Sequence, residues 1–274
     1  MYNFITNCIY ACLLFLIGGK KGYGRKKWQG LFKRLHDFAL KGMNIGLTSD
    51  FKNNGELFSL VYARKSIGKS EKFCIFDVGA NRGDYSQEVL TLFNNVTVHA
   101  FEPAKETFQA LFKKYNNEKK IILNNFGLGE RKGDQKLYYD APGSGMASIY
   151  KRKLDHFNIK VEKEEVVKVE TLDDYCMESN LDKVHFLKLD VEGYELGVLK
   201  GAQKMLAEKK IDFIQFEFGG TDIDSRTFFQ DFYYLLNKNY RIYRILKDGL
   251  DEIEEYSEKE EIFAFRNFLA EKRV

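Results

Sequence analysis

At 274 residues, 44% of them hydrophobic and only two of them proline, the chain is long enough to bury a full core and suits one α/β domain with an extension better than two domains. Its net charge of +3 is uneven: residues 20–41 hold eight Lys/Arg against Asp37 alone, which leaves 35 basic and 39 acidic residues in 42–274. A body of that balance lacks the basic footprint of a nucleic-acid binder, and Cys8, Cys12, Cys74 and Cys176 form no Cys-x-x-Cys pair, so neither a disulfide framework nor a structural zinc is expected and a reducing cytoplasm fits best.

Phe4 to Gly18 is mostly apolar, interrupted by Thr6 and Asn7. Fifteen helical residues cover roughly 22 Å, short of a hydrocarbon core of about 30 Å, so a membrane span is not expected. A signal peptide is disfavoured because the charges follow the apolar run. Trp28, Leu31, Phe32, Leu35, Phe38 and Ala39 then recur at helical spacing among Lys26, Lys27, Lys33, Arg34 and Lys41. Two readings stay open: a helix packed on the domain, or an interfacial helix on an anionic inner membrane surface with Phe4–Gly18 as a second anchor. Residues 1–54 are taken as this helical extension and 55–274 as the main domain.

Phe73 to Val78 has the length and apolar content of a buried strand, and Ser86 to Phe93 carries apolar residues at helical spacing. Between them lies a loop with Gly79 and Gly83, a strand–loop–helix unit of the kind that binds ligands at the carboxyl ends of parallel strands. A dinucleotide loop wants Gly-x-Gly-x-x-Gly, but the second and third positions counted from Gly79 hold Asn81 and Asp84. An acid at the helix start repels a pyrophosphate, whereas Asp77 and Asp84 suit the sulfonium of S-adenosylmethionine, which carries no phosphate.

Val96 to Phe101 reads as the next strand, ending in Glu102-Pro103 before a helix from Lys105 to Tyr115. That places Glu102 beside the glycine loop, where a carboxylate can accept hydrogen bonds from both ribose hydroxyls. A third strand, Lys120 to Leu123, leads into Asn125 and Gly127 at the position of the cofactor's base edge. The insert between Gly133 and Val169 contains a hairpin strand, Lys136 to Tyr139, and a Pro142–Gly145 turn, readable as an acceptor lid or as a plain connection. Val184 to Leu189 is the fourth strand and Ile211 to Glu217 the fifth; helices follow over Tyr194 to Leu206 and Thr227 to Leu236, and the last strands are Arg241 to Leu246 and Glu261 to Arg266.

Asp190 and Glu192, two apart at the end of the fourth strand, are expected to face the cleft together, with Glu217 on the same rim. Methyl transfer to a hydroxyl requires removal of its proton, so these three carboxylates are the candidate bases or acceptor-orienting groups, with His156 of the insert as a fallback. Three acids at one rim are also a possible Mg²⁺ site, although no metal ligand is assigned.

The motifs Asp77-Val78-Gly79-Ala80-Asn81-Arg82-Gly83-Asp84-Tyr85-Ser86, Phe101-Glu102-Pro103, Thr171-Leu172-Asp173-Asp174-Tyr175 and Leu187-Lys188-Leu189-Asp190-Val191-Glu192-Gly193-Tyr194-Glu195 together resemble the FkbM-type S-adenosylmethionine-dependent methyltransferases. Val198–Ala202, Glu217 and Ser148 extend the resemblance, which covers about residues 55–267. It implies a Rossmann-like class I fold, a mostly parallel seven-stranded sheet with one antiparallel strand, and O-methylation of a sugar or polyketide-type hydroxyl, hence a small-molecule or glycan acceptor in surface-glycan or secondary-metabolite synthesis. Taken with the loop, it assigns Asp77, Gly79, Ala80, Asn81, Gly83, Ser86, Glu102, Pro103, Asn125 and Gly127 to the cofactor site. The alternatives carried forward are a nucleotide-binding oxidoreductase and a non-catalytic glycan-assembly partner.

Overall fold

Two glycines end the first helix of the chain: α1 (Tyr2–Leu16) stops at Gly18 and Gly19, both at positive φ, and α2 (Gln29–Gly42) follows two short 3-10 turns. The computed structural model describes residues 2–47, 50–68 and 72–273. These fall into two units, 1–46 and 47–274. The division lies upstream of the 54/55 boundary read from the sequence because Asn54 and Glu56 are buried within the second unit, joined by a 2.6 Å hydrogen bond from Asn54 Nδ2.

The second unit begins with α3 (Glu56–Ile67), which buries Glu56, Ser59, Leu60, Ala63 and Arg64, and then alternates strand and helix: β1 (Phe73–Val78), α4 (Asp84–Leu92), β2 (Val96–Phe101), α5 (Lys105–Tyr115) and β3 (Ile121–Asn124). The insert forms β4 (Gly127–Leu128), β5 (Gly133–Tyr139) and β6 (Lys163–Glu170), a separate three-stranded sheet in the order β4-β6-β5. After α6 (Leu172–Glu178) come β7 (Val184–Leu189), α7 (Glu195–Lys200), α8 (Gln203–Ala207), β8 (Ile211–Phe218), α9 (Gly220–Ser225), α10 (Phe229–Leu236), β9 (Tyr240–Ile245), β10 (Leu250–Glu252) and β11 (Arg266–Lys272).

The main sheet runs β10-β9-β11-β8-β7-β1-β2-β3. β1, β2, β3, β7 and β8 are parallel, and β11 is inserted antiparallel between β8 and β9. This is the Rossmann-like class I arrangement, with the chain reversing its direction of winding between β1 and β7, where ligands bind at strand carboxyl ends. The sheet has eight strands rather than the seven expected, because Leu250–Glu252, which lies outside the strands expected from the sequence, pairs with β9 at the edge.

Two further expectations are corrected. The helix read over Tyr194–Leu206 is two helices: Asp173 accepts from the backbone N–H groups of Lys204 and Met205 at 2.8 and 3.0 Å, capping α8 as a new start. The last strand begins at Arg266 rather than Glu261, because the Glu261 carboxylate instead caps α10, accepting from Phe229 N and Gln230 N at 2.8 and 2.9 Å.

Helices cover both faces of the sheet. Phe76, Val78, Leu187, Leu189, Ile214 and Phe216 point to one core; Phe73, Ile75, Phe186 and Phe213 join Leu60, Val89 and Leu111 in the other. Side chains alternate along a strand. On the second face the apolar rows therefore continue into Asp77, Lys188 and Gln215, which are register partners across β1, β7 and β8. The next step on that face is Gly79, Asp190 and Glu217. A polar site thus emerges at the carboxyl ends of three strands whose lower halves are anchored in the core.

Candidate cofactor and transfer site

The loop after β1 is interlocked with the loop after β7. Gly79 has φ +81°, and a Cβ placed there meets the carbonyl oxygen of Asp190 at 1.9 Å. Gly79 N and Ala80 N both donate to Phe101 O at 3.0 and 2.9 Å, so the turn hangs from the end of β2. Asn81 then takes a left-handed conformation (φ +50°), which Asn tolerates better than most side chains, and its N–H donates to Glu102 Oε2 at 3.0 Å. Ala104 N donates to Glu102 Oε1 at 2.8 Å. Each oxygen of Glu102 is thereby held by one backbone donor and keeps a further lone pair.

A cavity opens beside this turn. Gly79, Asn81, Glu102 and Asp190 form its polar wall; Leu128, Leu137, Ala147, Ile149, Val169 and Tyr194 form an apolar one. Burial pushes the Glu102 carboxyl up to about 7, against its two backbone hydrogen bonds. A second cavity of about 440 Å³ is lined by Phe51, Glu56, Asp77, Tyr85 and Lys188 among others. Gly79, Asn81 and Asp190 line both, so Asp190 stands where the two meet.

Lys188 organises the charges of the second cavity. Its Nζ lies 3.0 Å from Asp190 Oδ2 and 3.6 Å from Asp77 Oδ1, and 4.9 Å from the centroid of the Tyr85 ring. Burial opposes its charge, but Asp190, Asp77 and Glu56 outweigh burial and raise its pKa. Asp77 is fully buried and accepts from Ser86 Oγ at 2.7 Å through Oδ2. Asn81 Oδ1 and Tyr85 Oη are buried with no hydrogen-bond partner among the described residues, and Asp77 Oδ1 has no hydrogen bond, only the Lys188 ammonium at 3.6 Å. Glu56 accepts from Gln215 Nε2, Asn54 Nδ2 and Asn267 Nδ2, and burial raises its pKa.

Of the three candidate carboxylates, Asp190 is the one that reaches both cavities. Glu192 does not share its direction by strand alternation as expected, because β7 ends at Leu189 and Glu192 itself sits at φ +55°. That left-handed turn costs on the order of 1–2 kcal/mol for a side chain of this kind. It is held from outside: Ser148 Oγ donates to Glu192 O at 2.7 Å, Arg152 Nη1 pairs with the Glu192 carboxylate, and Val191 N donates to Glu195 Oε1 at 2.9 Å. Burial, then the neighbouring charge of Asp190, pushes Glu192 up to about 8 even with Arg152 beside it. Glu217 is half-buried at the rim, its carboxyl raised by burial and by Asp190, Glu192 and Glu195.

The structure brings Asp77, Gly79, Ala80, Asn81, Glu102, Pro103, Gly127, Asp190 and Glu192 to the cavity walls. It sets four others behind them. Gly83 begins α4, and a Cβ there meets the Tyr115 ring at 2.5 Å, so its smallness serves helix packing. Ser86 orients Asp77. Asn125 is exposed and braces the turn, donating to the carbonyls of Glu102 and Pro103 at 3.0 and 3.3 Å rather than facing a base. Glu217 belongs to the rim and lines neither cavity. His156 is exposed on a 3-10 turn against Phe157 and lines neither as well. The Pro142–Gly145 turn does lie at the site: Ser144 and Gly145 line the first cavity and Gly143 the second.

Four site residues escaped the sequence reading: Glu56, Tyr85, Arg152 and Lys188 in their present roles. A lysine inside an apolar strand, two residues before an acid, was the available signal for Lys188.

The fold and the cleft define a class I methyltransferase domain. The methyltransferase FkbM domain matches residues 77–243, and the chain belongs to that family. It is 29% identical over 142 residues to Methyltransferase 1 of Beauveria bassiana (strain ARSEF 2860), covering 46% of this chain and 57% of that protein, so it spans less than two thirds of that relative's length. Among solved structures it is similar to precorrin-6y C5,15-methyltransferase from Geobacter metallireducens GS-15 (10% identity, 83% of this chain and 95% of that one, TM-score 0.40). It is also similar to the N-terminal domain of human METTL16 in complex with SAH (10% identity, 86% and 78%, TM-score 0.40).

Proposed function

We propose that the chain transfers a methyl group from S-adenosylmethionine to a hydroxyl of a small polar acceptor, a sugar in surface-glycan or secondary-metabolite synthesis. The observation that carries this reading is Asp190 at the junction between a cavity floored by Glu102 and a second cavity walled by acids. The cofactor supplies an electrophilic methyl on a sulfonium. Glu102 offers a fixed carboxylate to the ribose hydroxyls, and the apolar wall of Leu128, Leu137 and Val169 suits a base. Asp77, Lys188 and Asp190 together carry one net negative charge, which favours a cation and disfavours a pyrophosphate. Asp190 accepts the acceptor's hydroxyl hydrogen bond and, as the oxygen–carbon bond forms and the carbon–sulfur bond breaks, its proton.

The test is transfer of labelled methyl from S-adenosylmethionine into fractionated glycans and small metabolites. Label in a hydroxyl-bearing fraction is expected. Intact S-adenosylhomocysteine binding with no label in any fraction would favour the non-catalytic glycan-assembly partner, and stabilisation by NAD(H) instead of S-adenosylhomocysteine the oxidoreductase.

Glu102 gives a separate expectation. With its carboxyl at about 7, the charged form that best accepts ribose hydrogen bonds is lost as pH falls through that value. S-adenosylhomocysteine affinity, measured by titration calorimetry, should weaken from pH 8 to pH 6, by up to about tenfold per unit on the acid side. Glu102→Ala should lower affinity by about 1.5–3 kcal/mol and remove this pH dependence. Unchanged affinity in that variant removes Glu102 from the site.

A further inference from the structure

The first unit pairs an uncharged apolar helix with a basic one, and nothing in the reaction site uses either. No residue of 1–19 is charged. On α1 the side chains of Phe4, Ile5, Ile9, Tyr10, Phe15 and Leu16 are exposed, Phe15 by 89%. The segment that follows carries Lys20, Lys21, Arg25, Lys26, Lys27, Lys33, Arg34 and Lys41, all exposed, against Asp37 alone. No residue of α2 is buried within this unit. The apolar and basic parts are tied to each other. Gly18 and Gly19 reverse the chain, Gly22 packs so close that a Cβ there meets Ile17 O at 2.1 Å, the Tyr10 and Tyr23 hydroxyls are 3.0 Å apart, and the Tyr23 ring lies 6.4 Å from that of Phe32 on α2.

We infer that residues 4–41 form a peripheral anchor that seats on the anionic face of a phospholipid bilayer. Charge selects this occupant. A second copy of the chain would bring the same eight cations against these eight, whereas anionic headgroups neutralise them while the acyl boundary takes the apolar side chains of α1. Lys27 Nζ lies 5.2 Å from the Trp28 ring centroid, an amphipathic pair suited to the headgroup level. Length selects the depth. Among the described residues no helix is long and apolar enough to cross a membrane, and the fifteen residues of α1 extend roughly 22 Å, so the helix lies in the interface instead of spanning it.

The experiment is flotation of the full chain with vesicles of phosphatidylcholine alone and of phosphatidylcholine mixed with phosphatidylglycerol. Binding to the mixed vesicles is expected, weakened by added salt, with little binding to the neutral ones. The double variant Lys26→Glu, Lys27→Glu should partition at least about tenfold less, and Phe15→Asp should also reduce binding, each with an unchanged circular dichroism melt. Failure to float with anionic vesicles overturns the inference. So does equal binding to both vesicle types, or a dimer in light scattering that Phe15→Asp dissociates while vesicle binding stays absent.

Discussion

Asp190→Asn should cut methyl-transfer turnover by about 10²–10⁴-fold and leave S-adenosylhomocysteine affinity within a few-fold of the parent. The substitution keeps the shape and removes the charge that Lys188 faces at 3.0 Å, so a purely packing role predicts almost no change. Lys188→Met tests the same arrangement from the other side. It leaves Asp77 and Asp190 without the ammonium that joins them, and should lower both turnover and thermal stability, since a fully buried Asp77 then lacks its cation. Glu192→Gln separates the two acids by pH. If Glu192 were the base, the parent rate would rise with pH through about 8, where burial puts its carboxyl, and that rise would vanish in the variant. A profile without that step, unaltered by Glu192→Gln, leaves the proton to Asp190.

The metal alternative gives a contrasting outcome. Lys188 already pairs with Asp190 and Arg152 with Glu192, and no group of three or more His, Cys, Asp or Glu among the described residues is arranged to hold a metal ion. EDTA should therefore have little effect. Strong inhibition reversed by Mg²⁺ would require both cations to move and would transfer the role of acceptor activation to the ion.

How much of this was legible without coordinates follows the range of each interaction. The mostly apolar strands Phe73–Val78, Val96–Phe101 and Val184–Leu189 are legible with their observed ends because a buried strand needs little beyond its own sequence. Glu102 was read from its position after a strand and before a proline. What failed depended on distant partners. Glu261 looks like the start of a strand until its carboxylate is seen at the amino end of α10. Glu192 looks like an alternating neighbour of Asp190 until Ser148 and Arg152, some forty residues away, hold it in a left-handed turn. Glu56 carries no local sign of its task, because Gln215 and Asn267 reach it only after the sheet is assembled. The one signal left unread was local: Lys188 precedes Asp190 by two residues, which on a strand means one face.

Gly79→Val and Gly127→Val should separate the two uses that glycine has here, one in the fold and one at the cavity wall. At Gly79 the backbone has φ +81°, which a β-branched residue does not adopt without strain, and the added Cβ lands 1.9 Å from the Asp190 carbonyl. That oxygen is backbone, so no rotamer change relieves the overlap, and the loops after β1 and β7 must part. The variant should be expressed poorly or melt roughly 10 °C or more below the parent, in keeping with a loss of several kcal/mol in a domain of this size. Gly127 is different. Its φ lies outside the left-handed region, and a Cβ there finds only ordinary contacts, Pro103 at 3.6 Å and Val169 at 3.8 Å. A valine is also at home in a short strand such as β4. Gly127→Val should therefore fold and melt near the parent temperature. Its added volume comes out of the wall that Gly127 shares with Glu102 and Pro103, so S-adenosylhomocysteine affinity should fall by at least about tenfold, each lost decade corresponding to about 1.4 kcal/mol. Normal melting of Gly79→Val would mean that the two loops are not interlocked. Normal S-adenosylhomocysteine binding by a folded Gly127→Val would move the cofactor out of the Glu102 cavity and, with it, the assignment of Asp190 to the point of transfer.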